Sequence, residues 1–141
     1  MPVAPRVVFA CPSASPADSR CHMAAGNGFP RHVRLLKPVE FSSVFSRRCS
    51  RRGDFVQVYV RSASLAHPRL GLVVAKRDVA RSVDRNYARR IIRESFRLQM
   101  AVLPPLDYVV RVLRVIRPPE AVLMRAELAR FLARPKSCPE L

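Results

Sequence analysis

Tryptophan is missing from this chain of 141 residues, and acids are scarce: 10 Asp and Glu stand against 26 Lys and Arg. The shortage of carboxylates carries the first exclusion. No cluster of acids is available to hold two metal ions for phosphoester hydrolysis. No His/Glu pair sits in the basic stretches as an acid–base couple, so no catalytic residue is assigned. The cysteines, Cys11, Cys21, Cys49 and Cys138, contain no CxxC pair, and His22, His32 and His67 do not complete a ligand cluster. That spacing argues against a zinc site and against a disulfide framework, so no metal ligand is assigned either. No run is long enough to cross a bilayer as a helix. VVFA near the start is too short for a secretion-signal core, and its basic flank is thin. Neither zinc-finger spacing nor a heptad zipper speaks for a DNA-binding module.

What is abundant is positive charge. The formal net charge is +16 and the pI about 11.5, while 49% of the residues are hydrophobic. The apolar share suffices for one packed domain. The charge opposes compaction by self-repulsion, and a polyanionic partner, nucleic acid before a membrane surface, is its natural counterweight. Only Lys37, Lys76 and Lys136 among the cations are lysine. GC-rich coding accounts for much of that bias, but not for the net charge. Arginine also matches phosphate oxygens two at a time and stacks on bases.

Residues 1–29, rich in Pro, Ala, Ser and Gly, read as a disordered extension, 30–134 as the domain and 135–141 as a tail. Met23 is a candidate start, since the residues beyond it already make a domain. A helix is predicted over Pro38–Arg47, with Phe41, Val44 and Phe45 on one face. CSRRGD then reads as a loop. Phe55–Arg61 alternates as a half-buried strand, with Phe55, Gln57, Tyr59 and Arg61 pointing outward. The apolar run Leu70–Ala75 reads as a central strand paired with it in a hairpin. A basic helix over Ser82–Met100, a strand over Tyr108–Val115 and a helix opened by Pro118 come next. Met124, Leu128, Phe131 and Leu132 form the apolar stripe of that last helix. The order predicts an α+β fold, a small single-domain sandwich. If the strands either side of the basic helix are parallel neighbours, a right-handed crossover is the usual rule.

The most informative segment is RLGLVVAKRDVARSVDRNYARRIIRESFR, Arg69–Arg97. From Lys76 onward its cations are Lys76, Arg77, Arg81, Arg85, Arg89, Arg90, Arg93 and Arg97, against Asp78, Asp84 and Glu94. At about 100° per residue, Arg85, Arg89, Arg93, Arg97, Asn86 and Arg90 share one arc of the helix. Tyr87, Ala88, Ile91, Ser95, Leu98 and Val102 share another, with Phe96 among the arginines and Ile92 at their edge. The acids within the helix are too few to neutralise the cationic arc, which reads as a phosphate-binding surface rather than a face laced by i,i+4 ion pairs. Asp78 and Asp84 read as local ion-pair partners.

The same segment resembles the signature of the bacterial ribonuclease P protein component: a GL-x-V strand, a K-[KR] pair, then R-N-R-x-K-R-x-x-R-E-x-F-R. Arg85-Asn86, Arg90, Arg93-Glu94 and Phe96-Arg97 match it. LLKPVEFSSVF resembles the family's first helix, and the likeness runs from about Phe29 to Ala133. Tyr87 stands where the family has the second arginine of R-N-R, Arg89 where lysine is commoner and Ser82 where alanine is usual.

The resemblance implies an αβββαβα-like fold, ribosomal protein S5 domain 2-like, with the basic helix on a mostly antiparallel sheet and a left-handed crossover. It implies a cytoplasmic ribonucleoprotein endonuclease, with one protein per catalytic RNA, that removes the 5′ leader of precursor tRNA. Mg2+ is held mainly by the RNA and substrate, and no organic cofactor is needed. Carried onto this sequence, the RNA-binding residues are Lys76, Arg77, Arg81, Arg85, Asn86, Arg89, Arg90 and Arg93. The leader-binding cleft takes Phe41, Phe45, Phe55, Gln57, Tyr59 and Arg61, by stacking beside a cationic groove. Phe41 and Phe45 read equally well as a core anchor. The rival readings are a self-sufficient nuclease and a non-enzymatic structured-RNA binder such as a ribosomal protein.

Overall fold

The computed structural model describes residues 29–135. The expectations for the extension, Met23 and the tail fall outside the described residues, apart from the innermost positions. Helix α1 spans Pro38–Ser46, with proline in its first turn. The Glu40 carboxylate accepts hydrogen bonds from the amides of Leu36 (3.3 Å) and Lys37 (3.2 Å), which tie down donors that the helix start leaves open. Past the helix, Arg48 sits at φ 51°, the left-handed position that usually goes to glycine. Strands β1 (Ser50–Arg52), β2 (Val56–Ser62) and β3 (Arg69–Val74) come next. Then come α2 (Ser82–Gln99), β4 (Leu106–Val112) and α3 (Ala121–Ala133). Short 3-10 turns at Arg31–Val33 and Pro118–Glu120 precede α1 and α3.

The αβββαβα order is as expected, but the pairing is not. The sheet order is β1-β2-β4-β3. CSRRGD is not all loop: Ser50–Arg52 forms β1 and makes the antiparallel hairpin with β2. The predicted β2–β3 hairpin does not exist. β4 lies between the two, antiparallel to β2 and parallel to β3. Because α2 follows β3, the chain crosses the sheet before it returns, and a parallel return is what a helical crossover permits. β3 is therefore an edge strand, not a central one. From Leu70 onward it is apolar because helices cover both its faces, and Arg34 closes its outer edge with a single parallel bridge to Leu70.

On one face, Val56, Val58, Val60, Leu70, Tyr108, Val110 and Val112 pack beneath α2 and α3, which contribute Ile92, Phe96, Met124, Leu128 and Leu132. Tyr108 stands edge-on to Phe96 at 5.9 Å, and burial pushes its hydroxyl pKa up to about 12. The buried arc of α2 is Ala88, Ile91, Ile92, Ser95 and Phe96. It is thus rotated toward the arginines: Phe96 is fully buried, whereas Leu98 is 69% and Val102 83% exposed. α2 packs against both the sheet and α3, which widens its buried arc and leaves the arginines flanking it rather than opposite it. On the other face, α1 covers Val109 and Gly71. Leu35, Val44 and Val109 form a small core, with Phe41, Phe45, Tyr59 and Val73 packed on it. A Cβ at Gly71 would lie 2.7 Å from the Phe41 ring, so only glycine lets that ring rest on the strand. Cys49 is buried and disulfide-bonded.

One ion triad joins α1, β3 and β4. Arg69 reaches Asp107 with two bonds of 2.8 Å and Glu40 with one of 2.7 Å. Asp107 is 1% exposed. Burial opposes ionisation of Glu40, but the Arg69 hydrogen bond, the Lys37 and Leu36 amides and the Arg69 charge together hold its pKa below the ordinary value. Arg69 in turn is raised by its hydrogen bond to Asp107, against burial, with Glu40 adding to the rise.

Arg69→Ala leaves Asp107 buried without its cation, and urea titration should show a loss of about 3–5 kcal/mol. Glu40→Gln should cost about 1–2 kcal/mol at pH 7. Because the folded pKa of Glu40 is depressed, its contribution is complete above the unfolded value and is lost as pH falls through the folded one. The gap between wild type and Glu40→Gln should therefore close on acidification below the ordinary carboxylate range. A gap that stayed constant would mean that the charge of Glu40 does not matter. Arg48→Gly relieves the left-handed strain and should raise stability by about 0.5–1 kcal/mol in the same titration.

Candidate nucleic-acid interface

The turn after β3 and the exposed side of α2 gather the predicted cations. Lys76, Arg77 and Arg81 are exposed in the turn and at the helix start. Arg85 folds back and donates to the carbonyls of Val79 (3.0 Å) and Ala80 (2.6 Å), which stiffens the junction. Arg89 lies over Asn86, 3.4 Å from Oδ1, and Arg90 is exposed. Arg93 is half-buried. Its pKa is lowered first by burial, then by the nearby charges of Arg34 and Arg89. Three like charges brought together at the β3 edge disfavour one another, and an anion placed among them relieves that repulsion.

Ion pairs among the described residues leave most of the predicted RNA-binding cations without a carboxylate. Among the described residues the pairs are Arg69 with Glu40 and Asp107, Arg77 and Arg111 with Asp78, Arg97 with Glu94, and Arg114 with Glu120. Among the described residues, Arg77 is the only predicted RNA-binding cation near a carboxylate, at 3.8 Å and largely exposed. Asp78 is thus the local partner expected, whereas Asp84 makes no ion pair among the described residues. Tyr87 is half-buried.

The second set of predicted residues lies on the α1 side of the sheet. Register places Gln57, Tyr59 and Arg61 opposite Arg111, Val109 and Asp107, so all share that face. The Phe45 and Tyr59 rings meet edge to face at 4.7 Å, and Gln57 donates to the Ser50 hydroxyl at 3.1 Å. Phe41, Phe45 and Tyr59 are half-buried: each packs on the small core and keeps some surface open. Phe55 is a correction. It precedes β2, so strand alternation does not govern it. It is 6% exposed, its amide donates to Glu127 at 3.1 Å, and Arg114 lies 4.1 Å over its ring. A ring enclosed in this way has no open face for a base.

Sequence reasoning missed four residues. Arg111 shares the Gln57 face, and alternation applied to β4 would have found it. Arg52 pairs with Gln57 across the β1–β2 hairpin, in a strand hidden by its own arginines. Arg34 reaches the α2 face only through tertiary folding. Glu127 is 8% exposed, and its one signal was an acid set within the apolar stripe of α3. Among the described residues no group of three or more His, Cys, Asp and Glu could hold a metal ion. No helix of the described residues is long and apolar enough to cross a membrane.

A small α+β domain with one arginine-lined helix and half-buried aromatics between α1 and the sheet is the class the fold defines, and comparison with known proteins narrows it. The family described as Ribonuclease P matches residues 29–136. The ribonuclease P protein component of Methylococcus capsulatus is 43% identical over 118 residues, 80% of this chain and 89% of that protein. That of Chromobacterium violaceum is 53% identical over 83 residues, 59% and 69% of the two chains. The solved RNase P protein from Thermotoga maritima superposes with a TM-score of 0.62 at 26% identity, covering 74% of this chain and 98% of that one. The chain belongs to the ribonuclease P protein family.

Phe41→Ala empties the space above Gly71 and should lower stability by about 2–4 kcal/mol by chemical denaturation. A loss below about 0.5 kcal/mol would show that the ring is not part of the core.

Proposed function

We propose that this chain is the protein subunit of a ribonuclease P holoenzyme, an endoribonuclease whose catalysis is carried by the RNA. The face of Lys76, Arg77, Arg81, Arg85, Asn86, Arg89, Arg90 and Arg93 holds the catalytic RNA. The cleft between α1 and the sheet grips the 5′ leader of precursor tRNA, with Phe45 and Tyr59 stacking and Gln57 and Arg61 binding. The protein works in the cytoplasm, one copy per RNA. The observation that carries this reading is a helix whose Arg85, Arg89, Arg90 and Arg93 make no ion pair among the described residues, the electrostatic footprint of a phosphate-binding surface. The described residues do not fit a magnesium site of the protein's own. The ion that activates the attacking water would take its ligands from RNA and substrate, and this chain's part is to bind and position.

Reconstitution with the cognate catalytic RNA at low magnesium tests the role. Leader cleavage should depend on added protein, and full cleavage without it would remove the function assigned here. Cleavage by the protein alone would place catalysis on the chain itself. Replacing Arg89 and Arg90 by alanine should weaken RNA binding and flatten its salt dependence by about one to two units. An unchanged slope would mean these arginines do not face phosphate.

A further inference from the structure

The α2 arginines are not the only organised cations in the domain. Arg51 lies on β1, the edge of the sheet opposite β3. Its register partner is Val58, so its side chain is on the helix side, next to α3. There its guanidinium carbon is 5.9 Å from the centre of the Phe131 ring, and that of Arg130 is 5.5 Å from the same centre. Two guanidinium groups therefore share one ring. Phe131 is 7% exposed, so the ring is a fixed platform, while Arg130 is exposed and Arg51 half-buried. Neither arginine is in an ion pair among the described residues. The acid beneath them, Glu127, is buried and accepts the Phe55 amide. Its carboxylate lies against Gly53, where a Cβ would overlap it, so the β1–β2 turn is held on α3 at this point. Arg134 lies one turn beyond Arg130.

Arginines held against a ring lose less side-chain freedom on meeting an anion, and they present fixed forks to phosphate oxygens. The cations of the α2 face gather at the other edge, where Arg34 bridges β3 and neighbours Arg93. The edge strands are separated by three strand spacings, roughly 14 Å, before side chains are added.

We propose that Arg51 and Arg130 on Phe131 form a second RNA phosphate site, at the sheet edge opposite the α2 arginines. The proposal rests on the RNA-binding reading of the family and extends it to a surface that reading does not use. No base readout is implied, because the groups are cations on a fixed ring.

The test is filter binding of the full-length protein to the cognate catalytic RNA across a salt series. Arg51→Gln/Arg130→Gln should bind about tenfold more weakly at moderate salt, with the slope lowered by about one to two units. Arg51→Lys/Arg130→Lys should restore the slope. Failure of the lysine variant to restore it would show that the glutamine effect was structural, and would overturn the proposal. Unchanged affinity and slope in the glutamine variant, while Arg89→Ala/Arg90→Ala weakens binding, would overturn the second site and leave the α2 site standing. No effect from either pair would overturn both readings. Loss of binding to phosphatidylglycerol vesicles with RNA binding intact would assign the patch to a membrane surface and overturn the RNA assignment.

Discussion

Arg69 is the point at which three elements become one structure. Its guanidinium takes both oxygens of Asp107 on β4 and one of Glu40 on α1, and Glu40 also secures the start of its own helix. The parallel β3–β4 pair and the placement of α1 over the sheet thus meet in a single charged group. A buried ion triad adds little net stability over apolar residues of the same shape, but it tolerates no missing member. It acts as a register lock. With Arg69 opposite Asp107, Gly71 falls opposite Val109, beneath Phe41. A slip of one residue would set a side chain there and turn the apolar residues of β3 to the wrong face.

The charge distribution is a result of this frame. α2 is buried on a wide arc because it faces both the sheet and α3, and its arginines are displaced to the flanks. At the flank Arg85 and Arg93 are half-buried, and the Arg85 guanidinium turns back onto the Val79 and Ala80 carbonyls. Within the cationic face Arg85 is fixed on the Val79 and Ala80 carbonyls and Arg93 is half-buried, so part of the face is ordered before binding.

How much of this was legible in the sequence depended on the range of the forces involved. Prolines at 38, 104, 105 and 118 marked helix starts and stops, and α1, α2 and α3 lie within a few residues of the predicted spans. Strand pairing was not legible. The β2–β3 hairpin was a guess from adjacency, whereas β4 enters between them from far along the chain. β1 was hidden because its three residues include two arginines, whose place in a strand depends on β2 alone. The helical wheel failed at Phe96 and Leu98 because it assumes one flat partner, and α2 has two. The basic segment was legible because its spacing is local, while the approach of Arg34 to Arg93 arises only when the sheet closes.

The strand order also bears on how the chain is made. Val56 pairs with Val112, so the central strand β4 is the last part of the sheet to be synthesised. Until it leaves the ribosome, β1 and β2 are a lone hairpin, and β3 has no strand beside it. The inner edge of β2, bearing Val56, Val58 and Val60, stays open for that interval, a template for pairing with another nascent chain. Arg51, Arg52 and Arg61 lie along that same hairpin. Charges of one sign beside an open strand edge disfavour its pairing with a second copy.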